Sequence, residues 1–217
     1  MGDRIYCYPG TDVLINKYDI RDAGTLNATE KFRTQLRYAQ LQASPIKGDF
    51  DVTHIKAVHY HLFQDMYTWA GQFRTVNIAK STDFCRYPYI ESYLTDVLDK
   101  LSRDNYLVGT SQELFAKKLA FYFSEINAVH PYREGNGRCQ RAFMMLLAKV
   151  AGYDINFDAM TEVQMTEASI YSWKNDESKF VEMFIPNIVP ISKDEQMAYA
   201  RSILPVRNRV LIKLMSN

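Results

Sequence analysis

Several classes of protein are excluded by what this chain lacks. Cysteine is scarce: Cys7, Cys85 and Cys139 are the only three in 217 residues, odd in number, far apart and without a CxxC pair. Neither a disulfide framework nor a zinc knuckle follows from such spacing, and a reducing cytosol suits it. Charge of one sign is also missing, since 26 Lys and Arg against 25 Asp and Glu leave a formal +1. A general nucleic-acid binder draws its affinity from many phosphate contacts, so this balance argues against direct nucleic-acid binding and confines any anion site to a local cluster. Long apolar runs are absent. The opening MGDRIYCYPG has no apolar signal core, and the densest stretch, AFMMLLA at 142–148, is too short to span a bilayer. No internal repeat or low-complexity segment is visible. These absences leave a soluble chain with one main domain.

What is present is mostly helical periodicity. Residues 29–43 place Phe32, Leu36, Ala39 and Ala43 on one face. Asp51 or Thr53 can cap a second helix in which Ile55, Val58, Leu62 and Met66 recur at three- and four-residue steps before Gly71. Over 73–89 the periodicity disappears and Val76 and Ile78 alternate with polar neighbours, which predicts a short surface β-hairpin or extended flap. Helical spacing resumes over 89–104 through Ile90, Leu94, Val97, Leu98 and Leu101. Ser111 opens a helix striped by Leu114, Phe115, Leu119, Tyr122, Phe123 and Ile126 that ends near Val129. Another, over 138–150, is apolar nearly all round and stops at Gly152. Shorter helices are expected at about 160–173, 176–185 and 193–202. Beyond Pro205 the run VRNRVLIKLMSN fits either a strand of a following domain or a frayed tail. The domain is therefore placed at 1–190, with 191–217 as a C-terminal extension.

Between the two core helices lies HPYREGNGRCQR at 130–141. A glycine-rich turn that opens a helix aims successive backbone N–H groups at one spot. There the helix dipole adds positive potential, and the missing Cβ atoms of Gly135 and Gly137 let a phosphate approach. Arg138 and Arg141, three apart, share a helix face and can grip further phosphate oxygens. A carboxylate amid this charge would repel a bare phosphate, so Glu134 makes sense as a ligand for Mg²⁺ bridging phosphate oxygens. His130 adds a group that titrates near neutral pH, as a general base requires. A glycine-rich loop or a lone histidine is usually only structural; the conjunction of roughly eight specified residues at fixed offsets sets this one apart.

Those residues resemble the signature of the Fic family, His-Pro-Phe-x-(Asp/Glu)-Gly-Asn-Gly-Arg-x-x-Arg, with Tyr132 where Phe is usual. LFQDMYTWAGQFRTVNIAK at 62–80 resembles the family's approach to its substrate-binding flap, and YPGTDVLINKY at 8–18 the start of short bacterial Fic toxins. The likeness covers about 8–190. It implies an all-α Fic fold, a helical bundle with a small β-hairpin flap over the active site. It also implies transfer of AMP from ATP, with Mg²⁺, to a Tyr, Thr or Ser hydroxyl of a target protein. In that reading His130 takes the hydroxyl proton and Glu134 holds the metal. Gly135, Asn136 and Gly137 cradle phosphates, and Arg138 and Arg141 neutralise the β- and γ-phosphates. The flap residues Asn77, Ile78, Lys80, Phe84, Tyr87 and Pro88 would hold an extended target segment by β-augmentation.

Many Fic proteins also carry an inhibitory helix, (Ser/Thr)-x-x-x-Glu-(Gly/Asn), whose Glu pairs with the last signature arginine, here Arg141. Ser178 and Glu182 have the spacing, but Met183 follows, and an ordinary helix-surface pair accounts for them. The resemblance then implies a small antitoxin-like protein that supplies the helix in trans. It also implies targets such as type II topoisomerases in the bacterial cytoplasm, or small GTPases if the chain is an effector delivered to a host cytosol. Two other readings stay open: a Fic transferase with another donor, UTP or a phosphocholine type, and an interaction module of a larger effector. His54 and His61 share a helix face near His59, but no carboxylate stands at HExxH spacing, so packing or solvation explains them. Trp69 can stack an adenine or simply pack. Cys85 and Cys139 have no role in such chemistry.

Overall fold

Asp22 starts the first helix by accepting the N–H of Thr25 at 2.8 Å. In the computed structural model, which describes residues 5–79 and 83–205, this helix, α1, runs over Ala23–Ala43. Its faces are reversed from the expectation above. Phe32 and Leu36 are exposed, whereas Leu26, Glu30, Thr34 and Leu41 are buried. The reason is that α1 lies against a cationic site, so its inward face carries Glu30 and Thr34 to meet Arg138. Asp51 caps α2, Val52–Phe63, by accepting from the N–H of His54 at 2.8 Å. That helix stops well before Gly71, and turns carry Met66, Tyr67 and Ala70 into the core.

The centre is built from α3 (Ile90–Arg103), α4 (Gln112–Val129) and α5 (Asn136–Ala151). Ser111 caps α4, which buries Phe115, Leu119, Tyr122, Phe123 and Ile126, while Leu114 stays exposed. Nearly every side of α5 is covered, as its continuous apolar sequence requires. Gly152 ends α5 in a left-handed conformation, φ 102°, that glycine adopts without steric cost. A small antiparallel sheet follows that the sequence reading did not contain: β1 (Tyr153–Ile155) pairs with β2 (Ile188–Pro190), Asp154 opposite Val189. Between them lie α6 (Glu162–Ser172) and α7 (Ser178–Phe184), and after them α8 (Lys193–Ile203). The helical part of the expected C-terminal extension packs on the domain. Gln196 Nε2 donates to the Val150 carbonyl at 2.8 Å, and Gly48 N–H to the Ile203 carbonyl at 3.0 Å. The later run from 206 onward lies outside the described residues.

The segment from Phe73 to Tyr89 is a flap, but no regular hairpin ladder forms among its described residues. One antiparallel bridge, Ala79 with Asp83, joins its arms, and a 3₁₀ turn, Tyr87–Tyr89, leads into α3. Its backbone groups are spent elsewhere: Arg74 N–H donates to the Pro131 carbonyl at 2.9 Å and Cys85 N–H to that of Ala128 at 3.1 Å. Among the described residues no helix is long and apolar enough to cross a membrane.

Candidate active site

The loop between α4 and α5 is held by its own side chains. Asn136 accepts the Tyr132 N–H at 2.8 Å and donates to the Tyr132 carbonyl at 2.7 Å, closing a two-way clasp. Its side-chain amide is therefore spent on the loop, and its backbone N–H stands at the start of α5. Gly135 has φ +80°, and a Cβ there would come within 2.1 Å of the edge of the Phe63 ring, so both conformation and space demand glycine. The N–H groups of the first turn of α5 have no acceptor within the helix, the arrangement that favours anions.

His130 is the C-cap of α4 in the left-handed region, φ 47° and ψ 61°. Its Nδ1 lies 3.3 Å from the Asn127 carbonyl, which can only accept, so that contact places a hydrogen on Nδ1, and in the neutral ring the lone pair is then on Nε2. Phe84 of the flap stacks on the imidazole, centroids 3.8 Å apart and planes 14° from parallel. The ring is thus fixed from the helix side and from the flap side.

Glu134 is half exposed, and its Oε1 accepts the Gly135 N–H at 2.9 Å and stands 3.6 Å from Arg138 Nη2. Among the described residues no group of three or more His, Cys, Asp or Glu side chains gathers as a metal cage. A single accessible carboxylate beside an anion site is nonetheless the donor set that Mg²⁺ uses when it shares its shell with phosphates and water. On that chemistry Glu134 fits the metal inferred from the sequence.

Arg138 pairs with Glu30, donates to Thr34 Oγ1 at 3.3 Å and lies 4.8 Å over the Phe63 ring. The buried Glu30 carboxylate also accepts the Tyr67 hydroxyl, and burial together with Glu30's charge pushes that phenol's pKa well up. Arg141 sits deeper. Burial and then the neighbouring Arg138 charge lower its pKa. One terminal nitrogen of Arg141 would lie 3.4 Å from a Cβ at Gly137, so the guanidinium occupies the space beside that glycine. Both arginines line a cavity of about 500 Å³ whose other wall includes Lys31, Thr34, Tyr38 and Asp158.

Two residues support the loop in ways that periodicity does not show. Glu30 is one; a signal existed in the polar pair Glu30 and Thr34, four apart on α1. His59 is the other. Its Nε2 donates to the Glu134 carbonyl at 3.0 Å, its Nδ1 accepts from Gly71 N–H at 2.9 Å, and its ring stacks on Tyr132 at 3.7 Å. Burial pushes its pKa down to about 3, so it props the loop as a neutral group. His54 is likewise neutral, pushed down to about 4 by burial, between Phe50 N–H and the Ile46 carbonyl. His61 bonds the Arg37 carbonyl at 2.9 Å. The Tyr132 hydroxyl donates to the Ile55 carbonyl at 3.0 Å, which explains how the core takes a tyrosine there. Trp69 packs on Tyr67, His59 and Tyr6.

Of the flap residues singled out, Phe84 reaches His130. Asn77 Oδ1 accepts the Tyr87 N–H at 3.0 Å, which ties the two arms together. Ile78 is half-buried, Tyr87 and Pro88 are exposed, and Lys80 lies outside the described residues.

Comparison with known proteins agrees with this geometry. The Fic/DOC family profile matches residues 49–148. Protein adenylyltransferase VbhT of Bartonella schoenbuchensis is 40% identical over 169 residues, 77% of this chain and 35% of that protein, so the chain spans about a third of VbhT. The probable protein adenylyltransferase y4lH of Sinorhizobium fredii is 39% identical over 172 residues, 78% of this chain and 88% of that one. Among solved structures, the Bartonella tribocorum effector BepC with bound AMPPNP superposes with a TM-score of 0.82 at 27% identity, covering 86% of this chain and 97% of that one. With the signature loop in place, the helices around it superposable and a relative matched over most of its length, the chain belongs to the Fic/DOC family.

Proposed function

We propose that the protein is an adenylyltransferase that moves AMP from ATP to a hydroxyl side chain of another protein. The observation that carries this is the meeting, across one short turn, of a histidine with its Nε2 lone pair set by Asn127 and a helix N-terminus flanked by two arginines. In the reaction the acceptor oxygen attacks the α-phosphorus of ATP. The O–P bond forms as the bond from that phosphorus to the oxygen bridging to the β-phosphate breaks. The hydroxyl proton passes to His130 Nε2, and pyrophosphate leaves.

The N–H groups of Gly137 and its neighbours, with Arg138 and Arg141, face the charge that collects on the departing phosphates. Glu30 and Thr34 hold Arg138 for that task. Glu134 would hold Mg²⁺, which when bound supplies a counter-charge to phosphate oxygens. The flap offers backbone for an extended target segment, with Asn77, Ile78, Lys80, Tyr87 and Pro88 as the side chains that would meet it.

Inhibition in trans by a small antitoxin-like protein belongs to the same proposal. Glu182, in the segment with the spacing of an inhibitory helix, pairs with Lys179 on its own helix at 3.0 Å, as an ordinary surface pair does. A topoisomerase in the bacterial cytoplasm and a small GTPase in a host cytosol are the two target classes to try.

The test is incubation with ATP labelled at the α- or the γ-phosphate, with bacterial and eukaryotic lysates, and with unlabelled UTP as competitor. Label on a protein band from the α-position only, undiminished by UTP, supports the proposal. Label from the γ-position, or loss of label to UTP, replaces AMP with another transferred group.

A further inference from the structure

Arg74 is among the largest fully buried side chains of the molecule, yet all its hydrogen-bond partners are neutral. Its guanidinium donates through Nε to the His130 carbonyl at 2.8 Å and through Nη1 to the Val76 carbonyl at 2.7 Å. Nη2 is shared between the Cys85 carbonyl and the Val129 carbonyl, the latter at 3.2 Å. Burying a cation is costly unless its donors are satisfied, and a neutral amide would cost less if the need were only to fill space. What an arginine adds is a rigid fork of five donors that can reach several carbonyls at once.

The four carbonyls come from two places. Val76 and Cys85 are the two arms of the flap, on either side of the Ala79 to Asp83 bridge. Val129 and His130 are the last residue and the C-cap of α4, where helix carbonyls lack donors within the helix and the dipole favours a cation. Arg74 thus joins both arms of the flap to the backbone of the proposed catalytic base. Its own N–H, to Pro131, and that of Cys85, to Ala128, run across the same seam.

We infer that Arg74 is a positioning residue, a strap that sets the distance and register between the flap edge and His130 and so aligns an acceptor hydroxyl with the imidazole. The inference rests on the proposed transfer reaction. Arg74 bonds neither the arginine pair nor the first turn of α5, so it acts on acceptor geometry rather than on the nucleotide. A displacement of about 1 Å between acceptor and base is enough to cost about 10²-fold in rate.

Arg74→Lys keeps the charge and loses the fork. In the full chain it should bind ADP within about twofold of the parent by calorimetry, as an independent site requires. Labelling of lysate protein from α-labelled ATP should fall about 10²-fold. Hydrogen exchange of the Arg74 and Cys85 amides should quicken together. Parent-like labelling, or ADP affinity falling in step with labelling, would overturn the inference, the second by showing a general structural role. Should Arg74→Lys not fold, exchange in the parent chain decides: the Arg74 and Cys85 amides opening at one common rate supports the strap, and unrelated rates refute it. A parent chain that labels nothing counts against the proposed function, while the exchange rates still decide whether flap and loop are strapped.

Discussion

The signature loop and the flap lie against each other, Phe84 on His130, but they are held by opposite means. The loop is clasped from within by Asn136, propped from below by His59 and anchored through the Tyr132 hydroxyl. Among its described residues the flap is tied within itself by the Ala79 to Asp83 bridge and by Asn77, and it is secured at its base by Arg74, Thr75 and Cys85. Fixed chemistry therefore sits beside a segment whose described residues are tied chiefly at its base. Such a division suits an enzyme that performs one reaction on a partner recognised largely through backbone.

The comparison breaks most visibly at His130. His130→Ala should lower transfer about 10²- to 10⁴-fold, the usual range for losing a general base, with ADP affinity by calorimetry within about twofold of the parent. On the nucleotide side, Arg141→Ala removes charge-assisted bonds of about 1.5–3 kcal/mol. It should lower kcat/KM for ATP about 10- to 100-fold, measured by varying ATP at a fixed amount of lysate.

The prop beneath the loop should show in the pH dependence of stability. His59 and His54 are held neutral in the fold, with pKa values near 3 and 4 against an ordinary 6.5. Below pH 6.5 the unfolded chain takes up protons that the folded chain refuses. Their contribution is thus complete above 6.5 and is lost as pH falls toward 4, by at most about 1.4 kcal/mol per pH unit for each histidine. Urea unfolding at pH 7 and pH 5 should differ by about 2 kcal/mol or more, and His59→Gln should flatten the slope by about half. In the flap the smallest effect is expected: Tyr87→Ala, at an exposed position, should change stability by less than about 0.5 kcal/mol in the same assay. A larger loss would mean that the flap is as internally committed as the loop.

The same division governs what was legible in the sequence. The loop's chemistry is written in consecutive residues, from His130 to Arg141, and helices α4 and α5 announce themselves by apolar runs that only a core accepts. Helix α1 was read with its faces reversed because its inward side carries Glu30 and Thr34, a polar face whose reason lies on another helix. Strands β1 and β2 have three residues each, too few for alternation to register. Glu30, His59 and Arg74 meet the loop across separations of 108, 75 and 56 residues, and periodicity along the chain holds no trace of such contacts. The alternation around Val76 and Ile78 predicts a short hairpin or extended flap but does not reveal that Arg74 and Cys85 give their N–H groups to the loop.

The most direct test of the central claim is peptide mass spectrometry on the protein labelled in lysate, with the intact chain and His130→Ala run side by side. The account predicts one AMP on a Tyr, Thr or Ser hydroxyl, present with the intact chain and lost with the variant. AMP on a carboxylate or amine, or equal modification by both chains, would contradict it.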